Sequence, residues 1–184
     1  MDKQEGCVFC RKDFPYDYQL VSKAPKFWLF VLNMNPQTDL HSLIVLNAEK
    51  AGHICDLTDE NLSSKALEEL GILFSRACKA IKTADSEVEK VLITSLNMGE
   101  KSNHLHFHLI PKRSNEKVKT VANPEKDGGG MFFMARKEIV VDTYKDFLNS
   151  TTGGEGEELI CRISEATKKQ VARNAKVLRS KFES

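Results

Sequence analysis

The sequence predicts an α+β domain: an antiparallel, meandering five-stranded sheet with a long helix packed on it, followed by a helical extension. Three observations carry that prediction. Short β-branched and aromatic runs recur between turn-forming clusters, one long stretch repeats apolar residues at helical spacing, and three histidines alternate with apolar residues in a single short run.

Tyr16 to Val21 and Phe27 to Asn33 (FWLFVLN) read as strands joined at Ala24-Pro25-Lys26. Asn35-Pro36-Gln37-Thr38-Asp39 breaks the second, and His41 to Leu46 (HSLIVL) forms the next. Leu57-Thr58-Asp59-Glu60 supplies a cap and an acidic first turn for a helix running to about Ile81, with Leu62, Ala66, Leu70, Leu73, Phe74, Ala77 and Ile81 as one stripe. Val91 to Leu96 and His104 to Pro111 are two more strands, separated by the polar stretch from Asn97 to Asn103.

Beyond Pro111 the chain is highly charged as far as Asp127; Gly128-Gly129-Gly130 is a break, and Met131 to Val141 reads as a strand or edge segment. Thr151 to Gly156 is a linker before a helix over Glu157 to Ser180. The expected organisation is one domain over 1–148, its core over about 7–113, with 149–184 as linker and C-terminal helix.

A chain of 184 residues, 41% hydrophobic, can bury a core without disulfide staples. Its 27 basic against 26 acidic residues leave +1, so no global field draws it to nucleic acid or an anionic membrane. Phosphate affinity must be local. No run reaches the length of a membrane span and MDKQEGCVFCRKD lacks a secretory pattern, so the expected location is cytoplasmic. In a reducing compartment Cys7 and Cys10, spaced C-x-x-C, suggest metal or redox use, while Cys55, Cys78 and Cys161 read as semi-buried thiols.

Strand side chains alternate between faces, so His104, His106 and His108 share one face while Leu105, Phe107 and Leu109 line the other. Burying one imidazole without partners costs about 1 to 3 kcal/mol, which argues against a row of three kept only for packing. A three-histidine metal site fits poorly, because His104 and His108 stand about 13 Å apart on a straight strand. A phosphate-binding row fits that span, since imidazoles donate, accept and attack phosphorus.

The run His104-Leu105-His106-Phe107-His108-Leu109-Ile110 resembles the His-φ-His-φ-His-φ-φ motif (φ apolar) of the histidine triad (HIT) family. Pro36 to Val45 is similar to that family's segment ending in Gly-His-x-Leu-Val-Ile, His53 with Asp56 to Glu60 to its lead-in to the long helix, and Asn97-Met98-Gly99 to its Asn-x-Gly turn. Cys7-Val8-Phe9-Cys10 resembles the zinc-binding opening of a subset.

The resemblance implies a homodimer binding a nucleotide, purine ahead of pyrimidine, over the triad strand. His106 would attack the α-phosphorus and form a nucleotidyl-histidine, with His108 and His41 on the phosphate oxygens. Asn33 falls at the ribose position and Asn97 close to the nucleotide. Many members carry a Gly-Gln-Ser/Thr stretch before the triad; here Asn97 to Asn103 runs directly into His104, leaving Ser102 or Asn103 to substitute. Lys112, Arg113, Lys117 and Lys119 are candidates to reach a polyphosphate tail.

Resemblance to zinc-containing members implies a closed, structural zinc site from Cys7, Cys10, His53 and His104, with no organic cofactor. The implied activity is hydrolysis of nucleoside phosphoramidates, dinucleoside polyphosphates or related conjugates. Two alternatives stay open: a nucleotidyltransferase or phosphorylase using the same intermediate, and a non-catalytic, zinc-stabilised nucleotide-binding module.

Overall fold

The computed structural model describes residues 4–23, 26–34, 36, 38–95, 103–114, 117–120, 132–135 and 165–183. Its elements are β1 (Leu20–Ser22), β2 (Trp28–Leu32), β3 (Ser42–Leu46), α1 (Ala48–Ala51), α2 (Ser64–Ala84), β4 (Val88–Thr94), β5 (His106–Arg113), β6 (Lys117–Thr120), β7 (Phe132–Ala135) and α3 (Glu165–Phe182). Five strands form one antiparallel sheet in the order β1-β2-β3-β5-β4, and β6 pairs with β7 in a second, two-stranded sheet. The chain meanders through β1, β2 and β3, crosses by α2 to the edge strand β4, and returns as β5 in the middle.

β2 and β3 are unbroken apolar runs, WLFVL and SLIVL, and every residue of both is buried. Such runs suit strands covered on both faces. On one face Trp28, Phe30, Leu32, Ile44, Leu46, Leu105, Phe107 and Leu109 pack with the α2 stripe of Ala66, Leu70, Leu73, Ala77, Ala80 and Ile81. Val171, Ala175, Leu178 and Phe182 of α3 join that same core. The Trp28 indole N–H donates to the Ala66 carbonyl at 2.7 Å, fixing α2 on the sheet.

The long helix begins at Ser64, capped by the Ser63 side chain accepting from the Ala66 N–H, rather than near Thr58. Asp56 accepts from the Thr58 N–H and Asp59 from the Asn61 N–H at 2.8 Å each, and these local bonds compete with a helical turn. The short helix α1 is an unanticipated element, set by the Asn47 cap and stopped at Gly52, whose φ is 77°. Strand bounds move too: β5 starts at His106, with His104 and Leu105 in the bend before it.

No described helix is long and apolar enough to cross a membrane. The Gly128–Gly130 break, the 149–156 linker region, Cys161 and the N-terminal part of the anticipated second helix lie outside the described residues.

Candidate functional site

Register places the chemistry. Leu29 faces Val45 and Val45 faces His106; Val31 faces Leu43, Leu43 faces His108, and His108 faces Thr94. These rows cross the sheet on the face turned away from α2, where Phe9, Phe14 and Leu20 pack against Leu29, Val31, Leu43 and Val45. The reactive groups therefore stand on a stiff, doubly covered scaffold.

His41, at the start of β3, brings its Nε2 to 3.0 Å from His108 Nδ1, and His108 Nε2 lies 3.3 Å from His106 Nε2. His106 Nδ1 is 2.7 Å from the His104 carbonyl oxygen, an acceptor only, so that nitrogen donates and carries the proton. Nε2 of His106 is then the lone-pair nitrogen. The order propagates outward: His108 donates from Nε2 and accepts at Nδ1, and His41 donates from Nε2. With His41 Nε2 donating to His108, the Asn33 amide N–H has His41 Nδ1, 3.5 Å away, as its acceptor on that ring, while the Asn33 backbone N–H donates to the His41 carbonyl.

Burial keeps the row neutral. It pushes His41 down to about 3 and His108 to about 2, the latter helped by neighbouring His41 and His106. His106 is lowered by burial, with the His104 carbonyl pulling the other way.

His41 is preceded by Leu40 at φ 64°, a left-handed conformation that costs a non-glycine residue about 1–2 kcal/mol. Ser42 Oγ donates to the Leu40 carbonyl at 2.6 Å and helps hold the turn that aims His41 at His108. Sequence reasoning passed over Leu40, although its place where the resembled segment carries glycine was a signal.

The first histidine of the row has other neighbours. His104 Nε2 donates to the Leu46 carbonyl at 2.7 Å, which leaves Nδ1 unprotonated; that atom lies 3.2 Å from His53 Nδ1 and 3.5 Å from Cys10 Sγ. Cys10 Sγ is 3.3 Å from His53 Nδ1, and one ligand atom each from Cys7, Cys10, His53 and His104 all lie within 4.8 Å of one another. Ligands about 2.0–2.3 Å from one ion stand roughly 3.3–3.8 Å apart at tetrahedral corners, so the donor set and its spacing fit a four-coordinate, thiolate-and-imidazole metal site. The carbonyl partner of His104 is the kind of support such ligands have. Burial raises the Cys7 thiol to about 11 and lowers His104 to about 4.

Phe9 links the two halves, its ring centroid 4.7 Å from that of His106, 5.9 Å from His104 and 5.1 Å from Phe14. Val8, Phe9, Phe14, Gln19, Asn33 and Leu43 are among the residues lining a cleft beside the histidines. Cys7 and Cys10 carry a sequence signal; Phe9, one of the two residues between them, carries none.

Other anticipated residues fall elsewhere. Asn97 and Ser102 lie outside the described residues, as do the side chains of Lys117 and Lys119. Asn103 precedes His104 with its Oδ1 buried and without a hydrogen-bond partner among the described residues. Arg113 is withdrawn from any polyphosphate role: it is buried, bound to Asp85 at 2.6 Å and to Thr38 at 3.3 Å, while Lys112 pairs with Glu89 at 3.1 Å. Cys55 is exposed rather than semi-buried, its Sγ 3.3 Å from His53 Nε2.

A sheet carrying a histidine relay on one face and a long helix on the other matches what family comparison finds. A family model described as the HIT domain matches residues 16–115, more than half of the 184-residue chain, and the chain belongs to that family. Among solved structures, the fold is similar to a Zn-bound histidine triad family protein from Mycobacterium smegmatis (15% identity, 90% of this chain and 84% of that one, TM-score 0.50). It is also similar to a HIT-like protein involved in cell-cycle regulation from Bartonella henselae (14% identity, 89% and 85%, TM-score 0.52). A third is a hypothetical histidine triad nucleotide-binding protein from Sulfolobus tokodaii strain 7 (16% identity, 90% and 83%, TM-score 0.51). No curated protein matches the chain in sequence. HIT proteins are in general nucleotide-binding hydrolases and transferases.

Proposed function

We propose that this protein is a nucleotide hydrolase in which His106 Nε2 attacks the α-phosphorus of a nucleoside phosphoramidate, dinucleoside polyphosphate or related conjugate. The observation that carries the reading is the 2.7 Å contact from His106 Nδ1 to the His104 carbonyl, which fixes the proton on Nδ1 and leaves Nε2, 3.3 Å from His108 Nε2, as the nitrogen with the free lone pair for attack once His108 turns its proton to the phosphate. The attack forms a phosphorus–nitrogen bond and expels the leaving group. Water then attacks the nucleotidyl-histidine, releases the nucleoside monophosphate and restores the imidazole.

His108 donates from Nε2 and His41 donates to His108, so with substrate bound the same donors serve the phosphate oxygens as charge develops. The cleft lined by Phe9, Phe14 and Leu43 suits the flat, apolar face of a base, a purine by preference, with Asn33 toward the ribose. Asn97 remains the candidate to lie close to the nucleotide, and Ser102 or Asn103 the candidate to serve the leaving group or phosphate.

Cys7, Cys10, His53 and His104 would hold a zinc ion. Bound there, the ion would supply a structural cross-link between the N-terminal segment, the loop after α1 and the bend before β5. Residues 1–148 would form the HIT-like unit and 149–184 its linker and helix, the assembly being a cytoplasmic homodimer.

The test is to mix the protein with a nucleotide bearing a good leaving group and quench in base, which phosphoramidates survive. A one-nucleotide mass increase on the peptide holding His104 to His108, absent in His106→Asn, is expected. Reaction at a chiral α-phosphorus should proceed with net retention; inversion would end the covalent reading.

A further inference from the structure

We propose that Phe9 is a positioning residue that transmits the state of the Cys7, Cys10, His53 and His104 cluster to His106 and to the wall of the substrate cleft. The inference rests on the reading of that cluster as a metal site and of His106 as the reactive group. Its basis is the placement of one ring. Phe9 lies between the two cysteines, whose turn is closed by the Cys10 N–H donating to the Cys7 carbonyl at 3.2 Å. It packs at once with Cys7, Cys10 and Ala48 and with the apolar row of Leu29, Val31, Leu43 and Val45.

The ring stands tilted at 45° against the His106 imidazole, 4.7 Å between centroids. Phe14 meets it edge-on at 76°, 5.1 Å between centroids. An imidazole hydrogen-bonded in its own plane, at Nδ1 to the His104 carbonyl and at Nε2 to His108, can still rock out of that plane; a ring against its flank opposes the motion and keeps Nε2 aimed. Sulfur ligation on both sides of Phe9 fixes a segment too short to fold in many ways, so the ring is pre-placed when the cluster is bridged. Without the bridge the segment is held by its own apolar packing and the contacts among two thiols and two imidazoles. The ring then presses on His106 only part of the time.

A second route from the cluster exists, since the carbonyl that orients His106 belongs to the ligand His104. Phe9→Leu separates the two, because it removes the ring and keeps all four ligands and the His104 carbonyl.

Zinc-loaded and chelator-treated protein are compared as wild type and as Phe9→Leu. Proton–carbon NMR reads the His106 ring signals, calorimetry the AMP affinity, and elemental analysis the zinc content. In the wild type, removing zinc is expected to move the His106 signals and weaken AMP binding by about tenfold. Phe9→Leu should hold one zinc per chain yet bind AMP as weakly as metal-free wild type, with chelation adding less than about twofold.

Equal losses on chelation in both proteins would overturn the proposal and assign the coupling to the His104 main chain. Wild-type His106 signals that stay in place on chelation overturn it without any variant, whatever the fold of Phe9→Leu. AMP binding to none of the samples defeats the nucleotide reading alone, because the NMR arm still judges Phe9. A wild type that takes up no zinc defeats the metal reading and this proposal together.

Discussion

The two faces of the main sheet are built from the same strands and are buried to nearly the same depth, yet they are held by different physics. Toward α2 and α3, Trp28, Phe30, Ile44 and Leu109 are 0% exposed among other hydrocarbons. On the opposite face His41 at 1% and His106 at 3% are buried just as well, but each ring nitrogen that matters points at a partner. Dispersion and hydrophobic contact set a volume without setting a direction; a chain of imidazoles sets which atom holds each proton. Substitutions on the two faces should therefore separate stability from chemistry.

The largest separation is expected at two residues adjacent in β5. His106→Asn should lower turnover a thousandfold or more, roughly 4 kcal/mol of barrier, with the denaturant midpoint almost unmoved. Phe107→Ala, next to it but on the core face, should cost about 3–5 kcal/mol of unfolding free energy, while the protein that remains folded still turns over substrate. Urea titration and steady-state kinetics on the same samples measure both. A His106 variant as unstable as the Phe107 variant would erase the distinction.

Next in size is the bridge beside the reactive face. Cys7→Ser with Cys10→Ser should abolish zinc uptake and lower the thermal midpoint by several degrees, read by elemental analysis and calorimetry. Because burial holds the Cys7 thiol at about 11, loading must expel protons, and apparent zinc affinity should rise with pH between 6 and 8. An affinity flat across that range would contradict the ligand set.

A smaller effect belongs to acid. His41 falls to about 3 in the folded protein against 6.5 for the free side chain, so the unfolded chain binds more protons across that interval. The stability conferred by neutral His41 is complete above pH 6.5 and declines as pH drops toward 3. The thermal midpoint should fall with acidification over that window, less steeply in His41→Gln. Smallest is Asn33→Ala, which removes an amide at the outer end of the relay and beside the cleft and should cost about 1 kcal/mol, roughly fivefold in turnover.

The helix stripe and the apolar strands were legible because periodicity reports burial directly: six of the α2 core residues recur at three- and four-residue steps. Its start was misplaced because Thr58 followed by Asp59 and Glu60 looks like a cap and an acidic first turn, whereas Asp56 and Asp59 spend their carboxylates on two-residue turns. The histidine row was legible from alternation alone. What alternation hides is that His104 belongs with Cys10 and His53, since its bend precedes the strand and its imidazole meets neighbours 51 and 94 residues away in the chain. Phe9 was invisible for the same reason, a ring contact being a property of tertiary placement with no local pattern to announce it, whereas the left-handed twist at Leu40 is announced only by its standing where the resembled segment carries glycine.

The last described helix has a consequence for how the chain comes to be folded. Arg179 Nη2 donates to the Leu20 carbonyl 159 residues earlier, and Arg76 Nη2 to the Phe182 carbonyl 106 residues on, with the Arg76 guanidinium 4.2 Å over the Phe182 ring. Contacts of such separation form late and slowly, because the entropy of closing a long loop comes before any reward from the contact. During synthesis the sheet and α2 must wait, one flank of Phe30 uncovered, until residues beyond 178 have emerged from the ribosome. A nascent chain paused before that point would hold its histidines in order and still present an open seam of hydrocarbon to every chaperone it meets.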